Sequence, residues 1–91
     1  MFLNELESIV QSRMESNTSE SYVAALAASG IDRALKKISE EAGEVIIAAK
    51  NQSRSELMYE AADLVFHLTI VLKMSGLSWD DIDQELRRRH R

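Results

Sequence analysis

Residues 36–63 read KKISEEAGEVIIAAKNQSRSELMYEAAD. Two helical patterns meet there across a short turn, Asn51-Gln52-Ser53-Arg54. Upstream of it, Ile31, Ala34, Leu35, Ile38, Ala42, Val45, Ile46 and Ala49 share one broad face at about 100° per residue, which predicts a helix over residues 31–50. Downstream, Ser53 followed three residues later by Glu56 has the form of a capping box and starts a second helix. That helix runs to about residue 75 and ends at Gly76. Helices joined so tightly pack antiparallel as an αα-hairpin.

The hairpin fixes heights. From a centre between Gln52 and Ser53, Glu44 and Glu60 lie about eight residues away on either side, and Glu41 and Asp63 about eleven. At a rise of ~1.5 Å per residue each pair sits at nearly one level. Within each helix the spacing is i, i+3, so both carboxylates lie on one face. Glu41, Glu44, Glu60 and Asp63 can therefore converge across one groove, while Glu40 stands to one side.

The second helix, LMYEAADLVFHLTIVL around Glu60, is apolar over most of its circumference, as buried helices are. Glu60, Asp63 and His67 form a narrow polar stripe on it, and Glu56 extends that stripe. Buried carboxylates without partners are costly. Four together call for a cation. Hard oxygen donors in a chain without cysteine favour Mg²⁺, or Mn²⁺, over zinc. Mg²⁺ held jointly by carboxylates and phosphates points to chemistry on an anionic, phosphate-bearing substrate. The competing reading is a solvated face, in which Lys36–Glu40 and Lys37–Glu41 are stabilising i, i+4 pairs. His67 reads as a core histidine bonded to a neighbour rather than a ligand. Di-iron carboxylate bundles need Glu-x-x-His, a spacing that is absent here.

The remaining chain completes an all-α reading. A first helix covers about residues 2–14, a short one about residues 22–28, and Gly30 closes the latter in a left-handed conformation. Ser78 with Asp81 repeats the capping-box form and opens a last helix to about residue 88. Ninety-one residues make a single domain, residues 1–91, with a modest core. With 45% hydrophobic residues and no cysteine for disulfides, an oligomer that shares its core is expected. The absence of proline and the low count of three glycines favour long helices. The fold expected is an antiparallel helical hairpin with flanking helices, of four-helix-bundle type, completed by oligomerisation.

A net charge of −4 argues against a nucleic-acid partner. The closing RRRHR suits a helix C-terminus, or else contacts phosphate. Glu60, Asp63 and His67 interrupt the most apolar segment and argue against a membrane span. No signal-like stretch opens the chain, so a soluble, cytoplasmic protein is expected.

EEAGE at residues 40–44 and EAAD at residues 60–63 resemble the EExxE…ExxD signature of the all-α nucleoside-triphosphate pyrophosphatases of the MazG type. SYVAALAASGIDRALKKISEEAGEVIIAAKN, EAADLVFHLTIVL and GLSWDDIDQEL narrow the resemblance to the phosphoribosyl-ATP pyrophosphatases of histidine biosynthesis. It extends from about residue 2 to residue 86. It implies Mg²⁺-dependent hydrolysis of phosphoribosyl-ATP to phosphoribosyl-AMP and pyrophosphate by a homodimer. It also implies Glu41, Glu44, Glu60 and Asp63 as metal ligands. The family is often fused to a phosphoribosyl-AMP cyclohydrolase; a chain of this length is expected to be the stand-alone enzyme.

The expected mechanism is metal-assisted attack of water on the α–β phosphoanhydride. Glu40 or Glu44, not fully committed to metal, would orient that water or take its proton. Lys37 shares a side with Glu41 and Glu44, and either contacts substrate phosphate or pairs with Glu41. Arg33, Lys50 and Asn51 are further substrate-binding candidates. Two other readings compete: a MazG-type house-cleaning pyrophosphatase acting on free nucleotides, and a non-catalytic helical dimerisation module.

Overall fold

A computed structural model describes residues 1–90. It contains five helices and no strand among those residues: α1 (Phe2–Met14), α2 (Tyr22–Ala28), α3 (Ile31–Lys50), α4 (Arg54–Met74) and α5 (Trp79–Arg89). The all-α expectation holds, and the α3–α4 hairpin is the dominant packing unit.

The turn shows how sequence closes it. Gln52 adopts φ 57, the left-handed region. Its N–H donates to the Ala49 carbonyl and that of Ser53 to Ala48, the two bonds of a Schellman closure. Ser53 then caps α4, its hydroxyl accepting from the Glu56 N–H at 3.3 Å. The expected box is only half made, because the Ser53 N–H is already committed to ending α3. The end of α4 repeats the closure with a residue that suits it: Gly76 at φ 74, with Leu77 donating to Leu72 and Gly76 to Lys73. At Ser78–Asp81 the full reciprocal box forms.

Gly30 departs from expectation. Its φ is positive, but with φ 98 and ψ 163 it is mirror-extended rather than left-handed helical. It serves as the N-cap of α3, while Ser29 closes α2. That backbone swings α3 away within two residues and lets α2 cover one side of the hairpin.

The core lies at the end of the hairpin remote from its turn. Val10 of α1, Val23 and Leu26 of α2, Ala34 of α3 and Ile70 of α4 are buried together there. Trp79 ties in α5: its backbone N–H donates to the Glu7 carboxylate and its indole N–H to the Thr69 hydroxyl at 3.0 Å.

The turn half of the hairpin is different. The broad apolar face expected on α3 is only partly covered. Along the whole of α3, Ala34, Glu41 and Ala48 are the buried positions; Leu35 at the far end and Ile46 and Ile47 near the turn are exposed. Met58 and Tyr59 on α4 are exposed beside the same turn. The physical reason is rotational: α3 turns the Ala34–Glu41–Ala48 line toward α4, which leaves its neighbouring apolar stripe outward.

Candidate active site

The four carboxylates counted from the turn meet. Glu41 and Glu44 from α3 and Glu60 and Asp63 from α4 each offer an oxygen, and these lie within 4.8 Å of one another. The electrostatic pairs are the expected ones, Glu44 with Glu60 and Glu41 with Asp63. Glu41 is 3% exposed, which removes the solvated-face reading for it. One oxygen each of Glu41 and Glu60 is buried with no hydrogen-bond partner.

Such crowding changes protonation. The Glu60 carboxylate, by a shared hydrogen bond and by its charge, pushes Glu44 up to about 7. Burial, then the shared hydrogen bond and charge of Glu41, raise Asp63 above its ordinary value. Burial alone would raise Glu41 too, but its hydrogen bonds with Asp63 and Lys37 bring it below the ordinary value. The donor set is all oxygen, two of its atoms are orphaned, and the spacing is close. These features fit a hard divalent ion.

Lys37 lies 3.4 Å from Glu41, one helical turn away, so the expected ion pair is made. That pairing also stops the ammonium at the edge of the acidic groove. Arg33 lies one turn farther along α3 and lines, with Tyr22, Ala25, Leu26 and Lys37, a recess of about 190 Å³. Glu40 is exposed and lies outside the carboxylate cluster. Lys50 and Asn51 sit at the turn end of α3, six and seven positions beyond Glu44, apart from the cluster and from the Arg33 recess. Glu56 lines a small cavity of about 130 Å³ with Glu44 and Glu60, which extends the acidic stripe toward the turn.

His67 is buried and fully engaged. The Asp63 carbonyl can only accept, so the Nδ1–H at 2.9 Å donates to it. Nε2 then accepts from the Tyr22 hydroxyl at 2.8 Å. A ring nitrogen also lies within 4.8 Å of oxygens from Glu41 and Asp63. With both nitrogens used, no lone pair remains for an ion. His67 instead positions the α4 turn that carries Asp63, which is 3.4 Å away through Oδ1. Tyr22 is the residue that sequence reasoning missed: it reaches His67 across 45 positions, and no spacing rule links them.

The basic tail is largely neutralised within α5. Arg87 pairs with Asp83, and Arg88 and Arg89 with Glu85. No single helix among the described residues is long and apolar enough to cross a membrane.

Comparison with known proteins extends the geometry. The family model described as phosphoribosyl-ATP pyrophosphohydrolase matches residues 3–90. A phosphoribosyl-ATP pyrophosphatase of Leptospira biflexa is 51% identical over 89 residues, covering 98% of this chain and 97% of the relative. The histidine biosynthesis bifunctional protein HisIE of Thermus thermophilus is 51% identical over 82 residues, 90% of this chain but 38% of the relative. Its counterpart in Bacillus subtilis is 44% identical over 88 residues, 97% of this chain and 42% of the relative. The chain therefore spans nearly the whole of the first relative and about two fifths of the bifunctional ones.

Proposed function

The chain belongs to the phosphoribosyl-ATP pyrophosphohydrolase family, and on that premise we propose that it hydrolyses phosphoribosyl-ATP to phosphoribosyl-AMP and pyrophosphate. The observation that carries this reading is the convergence of four carboxylates with two buried, partnerless oxygens in one groove. Glu41, Glu44, Glu60 and Asp63 would hold Mg²⁺. The ion supplies neutralisation of phosphate charge and a more acidic water.

The chain's own groups do the rest. Glu41 and Asp63, set by Lys37 and His67, form the rigid end of the groove. Glu44 is the exposed member of the cluster, so its carboxylate oxygen accepts the proton of the attacking water. Glu40, outside the cluster, orients water at most. The α–β anhydride bond breaks, the water oxygen joins phosphorus, and pyrophosphate leaves. Lys37 offsets charge on the phosphate nearest Glu41.

The exposed Ile46, Ile47, Met58 and Tyr59 support a homodimer in which a second copy covers the turn half and completes a four-helix bundle. A cytoplasmic location accords with a soluble nucleotide substrate.

A substrate panel tests the assignment. Phosphoribosyl-ATP should be turned over far faster than ATP, dUTP or oxidised purine triphosphates. Preference for free triphosphates would move the chain to the house-cleaning class. Turnover of none of them with Mg²⁺ present would favour a dimerisation module.

A further inference from the structure

We infer that the recess between α2 and α3 is a phosphate subsite, in which Arg33 and Lys37 bind an anionic group of the substrate beside the carboxylate groove. The inference rests on the phosphoribosyl-ATP reading for its substrate, but on the recess itself for its chemistry.

Charge along α3 is ordered. Glu44 and Glu41 lie in the groove, Lys37 follows one turn toward the N-terminus, and Arg33 one turn beyond that. These four residues recur at i+3 and i+4, so one side of the helix passes from acid to base within three turns. A substrate with several phosphates meets both ends: those on a divalent ion lie at the carboxylates, and a further one reaches the cations. Lys37 is held toward the acidic end by Glu41 at 3.4 Å. Arg33 makes no ion pair or side-chain hydrogen bond among the described residues, so its guanidinium is available for bidentate contact with phosphate.

The opposite wall is built to match. α2 supplies Ala25 and Leu26 as an apolar floor and Tyr22 as the flank. Leu26 is buried, and the Tyr22 hydroxyl is fixed by His67, so that wall is preorganised. About 190 Å³ accommodates a phosphate with an attached sugar or a second phosphoryl group. Among the described residues no carboxylate lines the recess, where it would repel such a group.

Two parts of the substrate carry this chemistry: the terminal phosphates of the triphosphate, and the 5′-phosphate of the phosphoribosyl group. The test uses Arg33→Ala and Arg33→Lys, substitutions at an exposed position that spares the core. Steady-state kinetics with Mg²⁺ and phosphoribosyl-ATP should show KM raised about tenfold or more in Arg33→Ala, kcat much less affected, and partial rescue in Arg33→Lys. In parallel, inorganic pyrophosphate and ribose 5-phosphate are titrated separately and followed by NMR of backbone amides and arginine Nε–H. Weakening confined to pyrophosphate in Arg33→Ala assigns the recess to the triphosphate end; weakening confined to ribose 5-phosphate assigns it to the phosphoribosyl end. If wild-type protein turns over no phosphoribosyl-ATP, the substrate reading falls, and the titrations still decide the recess. Arg33→Ala constants for both anions within twofold of wild type would overturn the subsite, whatever the activity.

Discussion

The two halves of the α3–α4 hairpin solve different problems. Away from the turn, Ala34 and Ile70 are buried together with Val10 of α1 and with Val23 and Leu26 of α2. Toward the turn, Ile46, Ile47, Met58 and Tyr59 of the same two helices are exposed, with nothing among the described residues covering them. The carboxylate cluster sits between the two. A site placed there gains rigidity from the packed half through His67 and Tyr22, while Glu44 stays exposed. Stability and activity should therefore respond to different residues.

The largest separation is expected from Asp63→Asn and Glu41→Gln. Each should lower Mg²⁺-dependent pyrophosphate release at least about a hundredfold, with circular dichroism and melting temperature close to wild type. Near-normal turnover in both would dissolve the distinction between site and scaffold. Ile70→Ala should do the reverse. Its side chain is fully buried, so stability should drop by about 2–5 kcal/mol in denaturant titrations, while molecules that remain folded keep their activity.

A pH series sharpens the boundary between the halves. Without metal, Glu44 is raised from its ordinary 4.5 to about 7. A raised carboxyl favours the fold fully below about pH 4.5, and that contribution is lost as pH rises through about 7. Melting temperature in EDTA should thus decline over that window, and Glu44→Gln should flatten the decline. Saturating Mg²⁺ should raise the melting temperature most at the alkaline end, where the carboxylates are ionised; at a hundredfold excess over Kd the gain is about 2.7 kcal/mol.

The turn half is probed by Ile47→Glu. Sedimentation should shift toward monomer with the helical signal retained, because the side chain contributes little to the packed core. The smallest effect is expected at the turn. Gln52 holds the left-handed position that Gly76 fills at the end of α4. Gln52→Gly should stabilise by roughly 0.5 kcal/mol, read as a small rise in melting temperature.

Much of this was legible because a short turn and a constant helical rise determine height. Glu44 could be matched to Glu60, and Glu41 to Asp63, by counting alone. Rotation was not so determined. Apolar periodicity marks the stripe through Leu35 and Ile46 as one to be covered, but cannot say that the chain's own α4 leaves it open. Local capping was also subject to competition. Ser53 could not complete its box because its N–H closes α3. The Tyr22–His67 bond depends on how α2 docks, and α2 is aimed by the unusual backbone of Gly30, which sequence marks only as a turn.

The central claim is that the acidic groove between α3 and α4 supports hydrolysis when a divalent ion is bound. Its most direct test is pyrophosphate release from phosphoribosyl-ATP by wild-type protein and by Asp63→Asn, each titrated with Mg²⁺ after chelation. The expected result is release that is absent in chelator, saturates with Mg²⁺ in the wild type, and is lost in the variant across the titration. Release by the wild type that persists in chelator, or an unchanged Mg²⁺ response in Asp63→Asn, would contradict it.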